Sequence, residues 1–152
     1  MPSTYSYYGR FPICYNLEFG EAAEVLVDLL GVQSSDAKKE MRHLKCQHVR
    51  LSWLKDVYEQ SCEAGMWEYA ARAYLLHLVG CTIFADKSAY FIAVKYLTLF
   101  RDLGSCGNYA WGVGCLAYVY EQLGYACMSP THQLGGYTTL VQVQMMDTLF
   151  LL

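Results

Sequence analysis

The first place to look for chemistry is His43-x2-Cys46-x-His48, where three metal-capable side chains fall close together. A structural zinc site takes four ligands, usually as two spaced pairs. The chain has no CxxC, and the next donor, Cys62, lies across an expected helix. The cluster therefore reads as a polar loop with no metal. A cysteine nucleophile needs a base placed beside it by the fold. Seven cysteines (14, 46, 62, 81, 106, 115 and 127) and four histidines single out no pair. Cys81 and Cys115 sit in apolar helical stretches and are expected to be inert core. There is no G-x-S-x-G nucleophile elbow. Gly112-x-Gly114 lacks the third glycine and the following Lys-Ser/Thr of a phosphate loop. Lys87 reads as a charged stop after a buried helix rather than a Schiff-base lysine. These residues give no catalytic group, no metal site and no cofactor, so the expectation is a protein that is not an enzyme.

The strongest remaining signal is the basic segment 38–55, with Lys38, Lys39, Arg42, Lys45, Arg50 and Lys55. Such a run can contact phosphates. Its bland counterpart is a solvated loop, and no nucleic-acid-binding motif accompanies it. Charge is otherwise sparse: 16% of the 152 residues are charged, 55% are hydrophobic, and the net charge is -3. That excludes a disordered tail and gives no bulk attraction to nucleic acid or anionic membrane. From Leu103 onward the only formal charges are Glu121 and Asp147. Such a stretch must lie in a core or against a partner. No apolar run approaches the ~20 residues of a membrane-spanning helix. The polar, Tyr-rich start is unlike a secretory signal. With irregularly spaced cysteines, it points to free thiols in a reducing, intracellular compartment.

The elements that must hold these residues are mainly helical. Residues 1–20 are expected to be irregular. Glu21–Leu30 repeats Ala22, Val25, Leu26, Leu29 and Leu30 at helical spacing, with Gly31 as the C-cap. Val32–His48 reads as a basic loop with at most one solvated turn. A second helix runs from Leu51 to Gly65. A third, Met66–Ala85, carries a wide apolar stripe including Trp67, Tyr74, Leu75, Leu78 and Val79, so it is expected to be central. Tyr74, Leu78 and Trp111 are expected to be buried. Phe91–Leu103 reads as a fourth helix, although Tyr90, Phe91, Ile92 and Val94 also allow a strand. Asn108 would cap a fifth helix ending near Leu123, and Leu134–Leu152 would form a last one. The sum is an all-α domain over 21–152: a compact array of about six helices.

Several runs carry a family resemblance. They are Val49-Arg50-Leu51-Ser52-Trp53-Leu54 and the long segment from Trp67 to Ser88, which contains RAYLLxLxGCTxFxDKS. Tyr96-Leu97, Arg101-Asp102-Leu103, Tyr109-Ala110-Trp111-Gly112 and Gln133-Leu134 follow in order. The chain resembles the plant mobile domain family of maintenance-of-meristems-like proteins and long-form phosphatase 7 homologues. On this resemblance the motif positions are Trp53, Trp67, Tyr74, Leu78, Cys81, Phe84, Asp86, Lys87, Tyr109 and Trp111. It implies a helical fold, nuclear location, transposon-related origin, and links to transposon silencing, genome integrity or meristem maintenance. It implies no catalytic residue: the metal motifs of the phosphatases and a PLP cradle are both missing. Where relatives continue with a WIYEHFP-like stretch, this chain reads Gln144-Met145-Met146-Asp147, which predicts an incomplete domain. The expected function is a non-catalytic interaction module with a protein partner, another family member among the candidates. The competing readings are nucleic-acid binding through segment 38–55 and a non-functional truncated remnant.

Overall fold

The computed structural model describes residues 16–44, 47–85, 90–128, 135–139 and 142–143. The first helix, α1 (Phe19–Leu30), opens with the Glu18 N–H donating to the Glu21 carboxylate at 2.9 Å. It buries Ala22, Ala23, Leu26, Leu29 and Leu30, the expected stripe except that Val25 is half-buried and Ala23 faces inward. Gly31 ends it at φ 67°, its N–H donating to the Val27 carbonyl. A Cβ at Gly31 would lie 2.6 Å from the Tyr69 ring, so the left-handed cap and the close approach both require glycine here.

The basic segment is not a loop. Ser34–Leu44 forms a second helix, α2. Ala37, Glu40 and Met41, spaced three and four apart, turn inward together. Only two of those three are apolar, so the periodicity is faint in the sequence. The buried Glu40 is matched from outside the helix. The Arg50 guanidinium donates to its carboxylate oxygens at 2.8 and 2.7 Å, and the Arg50 backbone N–H donates at 3.1 Å.

Arg50 ends a short strand, β1 (His48–Arg50), which pairs antiparallel with β2 (Phe91–Ala93). Val49 faces Ile92 across the ladder, and both are buried. Between the strands runs an antiparallel hairpin of α3 (Leu51–Glu63) and α4 (Trp67–Cys81). α3 buries Leu51, Leu54 and Val57. α4 buries Ala70, Ala73, Leu76, Val79 and Gly80. This overturns the expected orientation of α4: Tyr74 and Leu78 lie on the outside. The small inner residues let α3 approach closely. At Gly80 a Cβ would lie 2.7 Å from a Leu51 methyl and 3.0 Å from one of Ile92. Gly80→Ala gains about 1 kcal/mol of helix propensity and loses about 1–3 kcal/mol to overpacking. A net loss of up to about 2 kcal/mol is expected as a lower urea midpoint with an unchanged slope.

The expected fourth helix divides in two. Phe91–Ala93 takes the strand alternative, and Val94–Phe100 continues as a 3-10 helix. Val94, Leu97 and Phe100 share its buried face, as a period of three requires. Arg72 of α4 donates to the Phe100 and Arg101 carbonyls at 3.1 and 3.3 Å, closing its C-terminal end. Asn108 ends a second short 3-10 helix, Cys106–Asn108, instead of capping the next α-helix. Helix α5 spans Trp111–Met128, past the expected end near Leu123. An aromatic cluster seats it. Phe84 stacks on Tyr96 with centroids 4.0 Å apart, and Tyr118 of α5 meets Phe84 edge-on at 5.4 Å. Trp111 stacks on Phe100 at 5.7 Å and donates its indole N–H to the Cys106 carbonyl. Of the expected last helix, Gly135, Gly136 and Tyr137 are not helical, Thr138, Thr139, Gln142 and Val143 are, and the rest lies outside the described residues. The fold is therefore an all-α array with one small two-stranded clasp among the described residues. None of its helices is long and apolar enough to cross a membrane, among the described residues.

Candidate interaction surface

α4 turns its small residues inward together with Leu76 and Val79, and several of its other large ones face solvent. Trp67, Tyr74, Leu78 and Cys81 recur at spacings of seven, four and three, which places them on one helix face. Trp67 is 69% exposed, Tyr74 53% and Leu78 43%. Tyr58 of α3 extends the row, its ring 5.9 Å from that of Tyr74. The Tyr58 phenol is pushed above its ordinary range, chiefly by its hydrogen bond with Cys62. Met66 is also exposed at the start of α4. The result is an aromatic and aliphatic ridge along the outer edge of the hairpin.

The motif positions divide. Phe84 is buried, while Trp53, Tyr109 and Trp111 are half-buried against the core. Trp67, Tyr74, Leu78 and Cys81 are exposed. The expected burial of Tyr74 and Leu78 is thus corrected, and that of Trp111 holds only in part. Asp86 and Lys87 lie outside the described residues. Cys115 is buried as expected, but Cys81 is exposed and lies 3.7 Å from His77 Nδ1 one turn earlier. Desolvation pushes the Cys81 thiol up, away from the thiolate a nucleophile needs.

The basic residues do not form one patch. Lys38, Lys39 and Arg42 are exposed on α2. Arg50 is turned onto Glu40, and that hydrogen bond and charge hold its guanidinium above its usual range. Lys55 pairs with Glu59 at 3.8 Å. Lys45 and Cys46 lie outside the described residues, and with Cys46 the His43–Cys46–His48 cluster. No group of three metal-capable side chains occurs among the described residues. Arg101 and Asp102, neighbours in the chain, make two separate contacts. Arg101 bonds Asp28 at 2.9 Å. Asp102 accepts from the Ser105 hydroxyl and the Gly104 N–H, which hold its carboxyl below the usual range.

One polar cavity of about 220 Å³ lies between the clasp and α5, lined by His48, Lys95, Tyr96, Tyr118 and Glu121. Lys95 is already engaged there, 3.4 Å from Asn16 Oδ1 and 5.2 Å above the Tyr96 ring. Sequence reasoning missed the buried carboxylate of Glu40. The signal was its place between Ala37 and Met41 on one face, with an arginine ten residues on.

Comparison with known proteins gives a consistent answer. A family profile described as "Plant mobile domain" matches residues 6–149. Protein MAIN-LIKE 1 of Arabidopsis thaliana is 40% identical over 117 residues, which is 75% of this chain and 22% of that protein. Protein MAINTENANCE OF MERISTEMS of Arabidopsis thaliana is 37% identical over 126 residues, 80% of this chain and 25% of that protein. A serine/threonine-protein phosphatase 7 long form homolog of Arabidopsis thaliana is 27% identical over 124 residues, covering 9% of its length. The chain spans about a quarter or less of the length of these curated relatives. No solved structure matches it.

Proposed function

The chain belongs to the plant mobile domain family, and on that premise we propose that it is a non-catalytic protein-interaction module of transposon-related origin that works in the nucleus. Its contact face is the outer row of α4. The observation that carries this reading is the exposure of Trp67, Tyr74 and Leu78 along a helix that had smaller residues to spend on its surface. Contiguous exposed apolar surface is costly in water and marks contact sites. Covering it returns roughly 25 cal/mol per Å². The partner is a protein, with a second family member as the first candidate. Roles in meristem maintenance, transposon silencing or genome integrity belong to the same proposal. The name of one relative supports the first of these.

The test is affinity purification of the tagged chain from plant nuclei, with and without nuclease, beside a Tyr74→Ser/Leu78→Asp variant. Because both side chains are largely solvated, the variant is expected to lose no more than about 1 kcal/mol of stability. It is also expected to lose the nuclease-resistant partners. A variant that holds the same partners at parental yield sinks the reading. Lys38, Lys39 and Arg42, exposed on one helix, favour a second reading, nucleic-acid binding. In that case the partners disappear with nuclease, and Lys38→Ala/Lys39→Ala/Arg42→Ala flattens the salt dependence.

A further inference from the structure

Helix α5 carries a second apolar face, and that face points away from the fold. Of its 18 residues only Gly114, Cys115 and Val119 are buried. Val113, Leu116, Tyr120, Gly124, Cys127 and Met128 are exposed. At about 100° per residue these six fall within one third of the helix circumference. A stripe of that width is what a helix ordinarily turns towards a core. Here Tyr120 is 59% exposed and Met128 89%. No charge stands on the stripe. Glu121, the one ionised residue of α5, lies at its edge, where the Tyr125 hydroxyl donates to it at 3.5 Å.

Gly124 adds an independent observation. It sits inside the helix, where glycine is less favourable than alanine. A Cβ there would meet nothing within 4 Å. No neighbour within the chain therefore requires the missing side chain, whereas a surface that approaches from outside does.

We propose that this face is covered by the same face of a second copy of the chain, with the two α5 helices antiparallel about a two-fold axis at Tyr120. A face without charge fits an uncharged partner, and α5 of another copy matches it in length and in charge. Size sets the register. With Tyr120 against the partner's Tyr120, Leu116 lies over the partner's Gly124 and Val113 over the partner's Cys127. The bulkier residue of one copy then meets the smaller one of the other, as close packing requires. A parallel pairing would set leucine on leucine and glycine on glycine, a bump beside a gap. The area is sufficient. At their observed exposures these side chains, with the flanking Tyr125, present roughly 600 Å² or more. A dimer of ordinary size takes about 800 Å² from each subunit. An isologous contact closes on itself, so assembly stops at two copies. The α4 ridge stays free, so the inference goes beyond the interaction-module reading and does not depend on it.

The test is sedimentation equilibrium of the intact chain over a concentration series, with circular dichroism to check the fold of each variant. The parent is expected to pass from monomer to dimer and no further. Tyr120→Glu sets two carboxylates against each other at the axis and is expected to weaken the dimer about a hundredfold or more. Gly124→Leu is the sharper variant. It is expected to raise the urea midpoint of the monomer, because leucine is the better helix former. It is also expected to weaken the dimer roughly tenfold or more, by filling the space that Leu116 enters. A position that matters only for the fold would not move the two in opposite directions. Under mild oxidation Val113→Cys is expected to become linked to the partner's Cys127, as read by peptide mapping. If Tyr120→Glu fails to fold, Gly124→Leu alone carries the comparison. A parent that stays monomeric overturns the proposal, and so do higher oligomers. A dimer that tolerates both α5 variants overturns it too. So does one that dissociates in Tyr74→Ser/Leu78→Asp, which would move the contact to α4. A link between two copies of Cys127, or between two copies of position 113, overturns the antiparallel register.

Discussion

Phe100→Ala is expected to cost about 3–5 kcal/mol, the range for truncating a buried aromatic. Phe100 is the largest of the fully buried side chains. Its ring stacks on Trp111, which starts α5, while its carbonyl is held by Arg72 of α4. The cavity left by truncation would lie where the 3-10 helix, α4 and α5 converge, and the backbone there is already fixed by the arginine. It cannot collapse easily, so the upper part of the range applies. In a domain of this size each kcal/mol shifts the melting temperature by about 2–4 °C. A fall of about 10 °C or more is expected in a thermal melt followed by circular dichroism. Phe100→Leu, which keeps much of the volume, should lose well under half as much. A Phe100→Ala variant that melts within about 3 °C of the parent would show that α5 does not depend on this contact.

Arg50→Ala is the second large effect. Glu40 is 5% exposed, and its carboxylate accepts from the Arg50 guanidinium and from the Arg50 N–H. Truncation removes the guanidinium bonds and keeps the backbone one. Removing one member of a buried pair costs about 3–5 kcal/mol, and the half-exposure of Arg50 and the contacts that Glu40 keeps place the loss at the lower end. The same origin fixes the behaviour of the double variant. Glu40→Leu/Arg50→Ala should recover most of the loss, and a double-mutant cycle by urea denaturation should return a coupling of about 2 kcal/mol or more. Additive single effects would mean that the two side chains are separately solvated and that α2 is held to β1 by something else.

How far the sequence revealed this arrangement depends on how distinct the two sides of each helix are. α1 was legible because its apolar stripe is narrow and Gly31 closes it. α4 was legible as a helix but not in its orientation, because it is apolar on both sides. Size favoured Trp67, Tyr74 and Leu78 as core. The packed hairpin instead needs Ala70, Ala73 and Gly80 inside, where small side chains let two backbones approach. α2 was missed because one of its three buried positions is a glutamate, whose burial makes sense only with Arg50 in place. The β2 half of the clasp was open as an alternative at Phe91 and Ile92, but β1 was missed because a three-residue strand is too short to show alternation. The exposed ridge follows from the same inversion of α4, so it was invisible until the hairpin was seen.

The β1–β2 clasp has a consequence for the order in which the chain folds. Val49 and Ile92 meet across roughly forty residues of intervening chain, a closure that costs a few kcal/mol of chain entropy. The α3–α4 hairpin between them makes mostly near-neighbour contacts, which assemble quickly and shorten the effective loop. The clasp therefore belongs to the late part of folding. Trimming it, for instance with Ile92→Val, should leave the refolding rate nearly unchanged and speed unfolding. In kinetic terms the three-residue ladder is a latch: it does little to help the hairpin form and much to slow its release.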